Sequence, residues 1–295
     1  MKTEPCITYK IPPNGIKALV RTHQLIIFSR MNTSLFTKPP AAAKPGISTA
    51  NRSLERGIDI LRAFRPGSAL LGNGEISERT GLSKSTVSRL TQTLVASGVL
   101  QIEPGTRVYR LAPLVLSLAH AMRTGSKVLA LAAPLMRSTA EKYKVNVGLA
   151  SADQDEMVYL ESIRYNRRPS LRTVVSGQRV PMELTSLGRA YLSCAPESQK
   201  MKLLAHFKAS RGNQWPQIKT EIEAAERQVK QDGFCMASWQ PEVIALATPI
   251  EVGHQIYALN VSVSSDEDVA KLANELFPVL MDLKTKVNAA MNSHD

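Results

Sequence analysis

The stretch GLSKSTVSRLTQTLVASGVLQIEPGTRVYRL, residues 81–111, decides the fold of the front of this chain. Ser83 stands directly before a run whose apolar positions, Val87, Leu90, Leu94 and Val95, fall on one face of a helix. Gly98 ends that run, so the spacing predicts a helix over 84–97 capped by Ser83. Two short β-prone segments follow, 99–102 and 107–111, with Glu103-Pro104-Gly105-Thr106 turning between them as a hairpin. Upstream, a short helix fits 75–80 and stops at Gly81. Before it, Ser53 caps a first helix whose apolar stripe is Leu54, Ile58, Leu61 and Phe64, with Glu55 in its first turn, Arg62 in its last and Pro66-Gly67 as its stop. Three helices and a hairpin make a winged helix-turn-helix.

In that arrangement the third helix enters the major groove with its N-terminal side chains toward base edges. Those side chains are Lys84, Ser85, Thr86, Ser88 and Arg89, with Gln92 one turn on. Arg89 can donate two bonds to a guanine, and the hydroxyls suit bases or phosphates. Arg107 on the wing and Arg52 at the entry to the first helix are placed for the DNA backbone. A three-helix unit that binds no DNA uses the same apolar spacing. What points to DNA is the combination of a capped third helix, an uncluttered polar face, a glycine-turned wing and positive charge. The net charge is +12, and residues 1–51 carry seven basic and one acidic side chains, residues 52–113 nine and five. The excess therefore lies at the front of the chain, as a polyanion partner requires, although a basic tail without a partner has the same composition.

Residues 1–51 show no periodicity and contain Pro12-Pro13, Pro39-Pro40 and Pro45-Gly46, which read as a disordered basic leader. Met31 opens a plausible shorter chain, and residues 1–30 are read as a misassigned start or a dispensable leader. The winged helix-turn-helix occupies 52–112 and a linker helix of about 113–124 lies in a connecting segment, 113–126. The larger domain, 127–295, mixes predicted strands at 145–151, 157–163, 170–174, 234–238, 244–249 and 256–264 with helices at 126–143, 186–195, 198–207, 217–232 and 269–291. The fold class is α+β, with antiparallel strands and covering helices in this second domain, an arrangement that can hold a small molecule over one sheet face.

The run RSLERGIDILRAFRPG (52–67), with ISERTGLSKSTVSRLTQTLVASGVLQIEPGTRVYRLAP (76–113), closely resembles the IclR family of bacterial transcription regulators. The resemblance continues through DEMVYLESI (155–163), PMELTSLGRAYLS (181–193), Gly233-Phe234, ALATPI (245–250) and 261–264. It implies a GAF/PAS-like effector-binding domain, a small organic acid or aromatic metabolite as effector, and a homodimer or homotetramer. The expected role is regulation of a double-stranded DNA operator, as a repressor in preference to an activator, with effector binding moving two reading heads through the linker helix.

Carried over residue by residue, the family's pocket falls on Ser186, Leu187 and Gly188 at a helix start, on Val243 and Ala245, and on Ser262 and Ser264 of the last strand. Those two serines alternate and so share a face. The sequence departs from the family pattern at Glu183, which would keep an anion away from that helix start, and at 235–239, where Trp239 could stack on an aromatic ligand. Tyr159 and Arg164 are assigned to sheet packing and a solvated hairpin.

Two other classes of protein carry different signatures. An enzyme would show a nucleophile elbow, a zinc-protease helix or a glycine-rich phosphate loop, and the chain contains none of the corresponding motifs. Its histidines, at 23, 120, 206, 254 and 294, lack ligand spacing, and the reading is no catalytic residue, no metal and no cofactor. Salt-dependent, sequence-selective duplex binding would count against a structural or adaptor protein that uses the wing for protein contacts. Three dispersed cysteines, Cys6, Cys194 and Cys235, fit a reducing cytoplasm, and no apolar run is long enough for a membrane span.

Overall fold

The computed structural model describes residues 51–165, 175–240, 243–265 and 268–293. They divide into two units, one ending at Gly125 and the other beginning at Ser126. The expected strand at 170–174 lies outside the described residues.

In the first unit, α1 (Arg52–Arg62) is capped by Asn51, whose side chain accepts from Ser53 N at 3.1 Å and Leu54 N at 3.2 Å. The cap is thus two residues earlier than Ser53, because the amide oxygen of Asn51 reaches the free N–H groups first. β1 (Leu71–Gly72) leads into α2 (Asn73–Thr80), where Glu75 accepts from Gly72 N at 2.8 Å. Gly81 then takes φ +69°, a left-handed turn that an L side chain resists. Ser83 caps α3 (Lys84–Ala96) by accepting from Thr86 N at 3.3 Å. β2 (Leu100–Ile102) and β3 (Val108–Leu111) form the hairpin, and β1 joins β3 as a third antiparallel strand. α4 (Pro113–Thr124) follows.

The core of this unit gathers Ile60, Phe64, Leu71, Ile76, Val87, Leu100 and Tyr109. The expected stripe on α1 holds at Leu61 and Phe64, which pack into this core, and fails at Leu54 and Ile58. Ile60 and Phe64 turn inward, whereas Leu54 is 63 % exposed and Ile58 39 %. Helical periodicity marked two apolar faces as one, and the small core has room for only the first. α4 goes further and buries none of its residues.

The second unit is a six-stranded antiparallel sheet in the order β6-β5-β4-β9-β8-β7. Its strands are β4 (Asn146–Asp153), β5 (Glu156–Ile163), β6 (Arg179–Pro181), β7 (Cys235–Ala237), β8 (Val243–Val252) and β9 (Gln255–Ser264). Strand alternation sends Val147, Leu149, Leu246, Leu259 and Val261 to one face, where they meet α5 (Lys127–Tyr143) and α9 (Val269–Asn292). Leu280, Leu283 and Val287 of α9 are fully buried there, each contributing roughly 1.5–3 kcal/mol. The opposite face carries small residues, Ala150, Ala247 and Ala258, beneath α6 (Ser186–Cys194). Outside α6 lie α7 (Glu197–Arg211) and α8 (Trp215–Asp232), whose Phe207, Ile218 and Ile222 complete this second core.

Candidate functional site

α3 presents Lys84, Ser85, Arg89 and Gln92 as exposed side chains, while Thr86 and Ser88 are half-buried. Thr86 Oγ1 lies 2.9 Å from Ser83 Oγ, so its hydroxyl is tied into the cap. Thr93, exposed one turn beyond Arg89, extends the same face and is not among the expected residues; its hydroxyl donates to Arg89 O at 3.2 Å. Beneath the face Thr91 is fully buried and its hydroxyl bonds Val87 O at 2.9 Å and approaches Asn73 Oδ1 at 3.4 Å, tying the start of α2 to α3. Arg79 anchors the other end of α2 to Ala63 O at 2.9 Å. On the wing Arg107 is exposed next to Gly105, whereas Arg110 is held by Gln101 at 3.2 Å and Glu103 at 3.4 Å. Arg52 is exposed at the start of α1. The expected DNA-reading residues therefore fall on α3, the wing and the helix entry of one unit, with a rigid support behind α3.

In the second unit the polar residues collect where α6 stops covering the sheet. Register places Asn146 opposite Ser262, Gly148 opposite Asn260 and Val243 opposite Ser264, all on the α6 face. With Tyr159, Ser162 and Arg164 from β5 and its end, they line a recess of about 60 Å³. Ser262, Ser264 and Val243 are thus lining residues, and Ala245 pairs with Ser262 one step further in. Ser186, Leu187 and Gly188 are instead buried in the packing of α6. Thr185 caps that helix, accepting from Gly188 N at 3.2 Å and donating to Pro181 O at 2.8 Å. A Cβ on Gly188 would stand 2.0 Å from Met182 O, so only glycine allows α6 to sit this close to the preceding chain.

Glu183 does not act on the recess as an unbalanced negative charge. It is 3 % exposed, and Arg211 of α7 donates to its carboxylate through Nε at 2.6 Å. Arg189, equally buried, donates to the Glu183 carbonyl at 3.0 Å and meets Glu221 of α8 at 2.5 Å. This network joins α6 to the two helices outside it. Trp239 is half-buried against the second core.

Tyr159 and Arg164, assigned to packing and to a solvated hairpin, both line the recess. Burial pushes the Tyr159 phenol up to about 12, against the smaller opposing pull of a hydrogen bond from Asn260 and the charge of Arg164. Asn146, Asn260, Ser162 and Gln240 are lining residues that sequence reasoning missed. The available signal was the interruption of apolar strands by polar residues at every second position, 146–148 and 260–264. Among the described residues the arrangement offers one cation, several neutral donors and acceptors and an aromatic wall, which together suit a small anion with an apolar body. Among the described residues no group of His, Cys, Asp and Glu could hold a metal ion, and no helix is long and apolar enough to cross a membrane.

The family model for the IclR helix-turn-helix domain matches residues 53–104, and that for the bacterial transcriptional regulator IclR C-terminal domain matches residues 120–287. The HTH-type transcriptional regulator TsaQ1/TsaQ2 of Comamonas testosteroni is 32 % identical over 189 residues, covering 63 % of this chain and 66 % of that protein. A crystal structure of an IclR family transcriptional regulator from Brucella abortus superposes with a TM-score of 0.75 at 29 % identity, covering 85 % of this chain and 96 % of that one. An IclR homolog from Microbacterium hydrocarbonoxydans, solved in complex with 4-hydroxybenzoate, shares the fold at a TM-score of 0.60 and 18 % identity, covering 82 % of this chain and 99 % of that one. With a DNA-binding helix-turn-helix in front and an effector-binding domain behind, this chain belongs to the IclR family of transcription regulators.

Proposed function

We propose that the chain is a cytoplasmic repressor that binds a short, roughly palindromic operator as a homodimer or a dimer of dimers, and releases it when a small organic or aromatic acid occupies the recess. The observation that carries the reading is the pairing of an exposed Lys84–Ser85–Arg89–Gln92 face on α3 with a recess that holds Arg164 among neutral polar groups. Repression is the simpler mode, since occupancy of an operator is enough for it whereas activation needs a further contact with polymerase. The 4-hydroxybenzoate held by a relative of the same fold supports an aromatic acid as ligand class.

The exposed apolar side chains of the DNA-binding unit support a second copy as partner. On α4, Leu114, Leu118 and Met122 stand one turn apart and are all exposed, as are Leu54 and Ile58 on α1. A two-fold dimer would cover such surface and set two α3 helices about one DNA turn, roughly 34 Å, apart. In the proposed mechanism the acid favours one placement of these heads over the other, and affinity for the operator changes by that difference.

Selection of genomic fragments by the purified chain at fixed salt, with sequencing, tests the reading. Enrichment of an inverted repeat that is lost when the acid is added supports it. Retention with no motif and a steep salt dependence would reduce the binding to electrostatics. A reporter placed behind the recovered operator separates repression from activation, and sedimentation of a Leu118→Glu variant reports whether α4 holds the copies together.

A further inference from the structure

Three buried polar side-chain atoms among the described residues lack a hydrogen-bond partner, and two of them, Asn260 Oδ1 and Trp239 Nε1, belong to residues on the α6 side of the sheet. Asn260 is the more telling. It is 5 % exposed, lies in the middle of β9 and lines the recess. Its side chain bonds Tyr159, and since Oδ1 is without a partner that bond comes from the Nδ2 end, donating to the phenol oxygen. The space Oδ1 occupies exists because the residue opposite on β4 is Gly148, where a Cβ would stand 2.5 Å from Oδ1. A buried acceptor left without a donor is costly in a folded protein, and such groups are normally satisfied by protein, water or ligand.

Resting on the reading of the recess as the effector site, we infer that Asn260 is a specificity-determining residue, which selects acids that also carry a hydrogen-bond donor, a hydroxyl or an N–H. The acidic group answers Arg164 at one side of the recess and the donor answers Asn260 Oδ1 deeper on the sheet. An unsubstituted acid satisfies the first and leaves the second orphaned. A site with a buried polar group in this position discriminates against the analogue that lacks the matching group more sharply than an apolar pocket discriminates by size.

The test uses the full chain and matched probes: the three hydroxybenzoate isomers and the three fluorobenzoates, in which fluorine keeps the shape of the hydroxyl and removes the donor. Dissociation constants are measured by calorimetry, with the pair lactate and propionate for the aliphatic case. The expected result is one position at which the hydroxy acid binds about tenfold more tightly than its fluoro or unsubstituted partner. In Asn260→Leu, or in Asn260→Ala if the leucine variant does not fold, the ratio falls to near one. A ratio near one for every pair in the native protein overturns the inference and leaves the acid-binding reading standing. A preference that survives both substitutions overturns it too, because the hydroxyl is then read elsewhere. If none of the acids binds, the effector reading itself fails and the inference falls with it.

Discussion

Replacing Gly148 by alanine should close the recess while leaving the second unit folded, and the structure supplies the magnitude. The new Cβ would stand 2.5 Å from Asn260 Oδ1 and 2.5 Å from Tyr159 Cε1. Both belong to side chains that line the recess, so they can swing aside into it. Overpacking of this kind costs about 1–3 kcal/mol, and the loss of glycine's freedom in the unfolded chain returns about 0.4–1 kcal/mol. The net is a destabilisation of roughly 1–2 kcal/mol. Gly188→Ala is the internal comparison: its Cβ would meet Met182 O at 2.0 Å and Met182 C and Cα at 2.4 Å. Those are backbone atoms flanking a fully buried helix, so the cost should exceed about 3 kcal/mol. Urea unfolding followed by circular dichroism measures both, and calorimetry with the tightest benzoate probe measures the recess. Gly148→Ala should lose at least about tenfold in ligand affinity at a small cost in midpoint. Unchanged affinity would show that the ligand binds elsewhere, and a Gly188 variant no less stable than the Gly148 variant would refute the distinction between yielding and fixed neighbours.

Arg89→Ala should weaken binding to the selected operator by about 1–3 kcal/mol and hardly affect random duplexes, as titration of both at one salt concentration will show; equal losses would assign Arg89 to phosphate. Thr91→Val removes a fully buried hydroxyl bonded to Val87 O, and should cost about 1 kcal/mol in the unfolding midpoint of the DNA-binding unit. Burial pushes the Cys235 thiol and the Tyr159 phenol up, each to about 12, so the folded chain holds both in their neutral forms. That contribution is complete below the pKa of the unfolded thiol, near 9, and is lost as the pH rises from there toward 12. The thermal midpoint should be flat between about pH 7 and 8.5 and fall above 9, and Cys235→Ala should flatten the decline.

The DNA-binding unit was legible in the sequence because its signals are local. Ser83 caps α3 within one turn, Gly81 supplies the left-handed turn before it, and Glu103 to Thr106 separate two strands that pair with each other. What escaped there was non-local: the pairing of Leu71-Gly72 with β3, and the division of α1 into an inward face and an outward one. In the second unit, most strand and helix positions followed from periodicity, although the three-residue edge strand β6 was too short to show one, and the shared face of Ser262 and Ser264 followed from alternation. The recess did not, because its walls come from residues far apart in the chain that meet only through the β4–β9 and β8–β9 registers. Glu183 shows the same limit. Its charge is visible in the sequence, but the Arg211 that neutralises it arrives on another helix. Local hydrogen bonding and side-chain period determine which segments become helix or strand, and that much the sequence alone carries. Which face is left open, which charge is balanced and which buried oxygen still lacks a donor are settled only when distant segments pack.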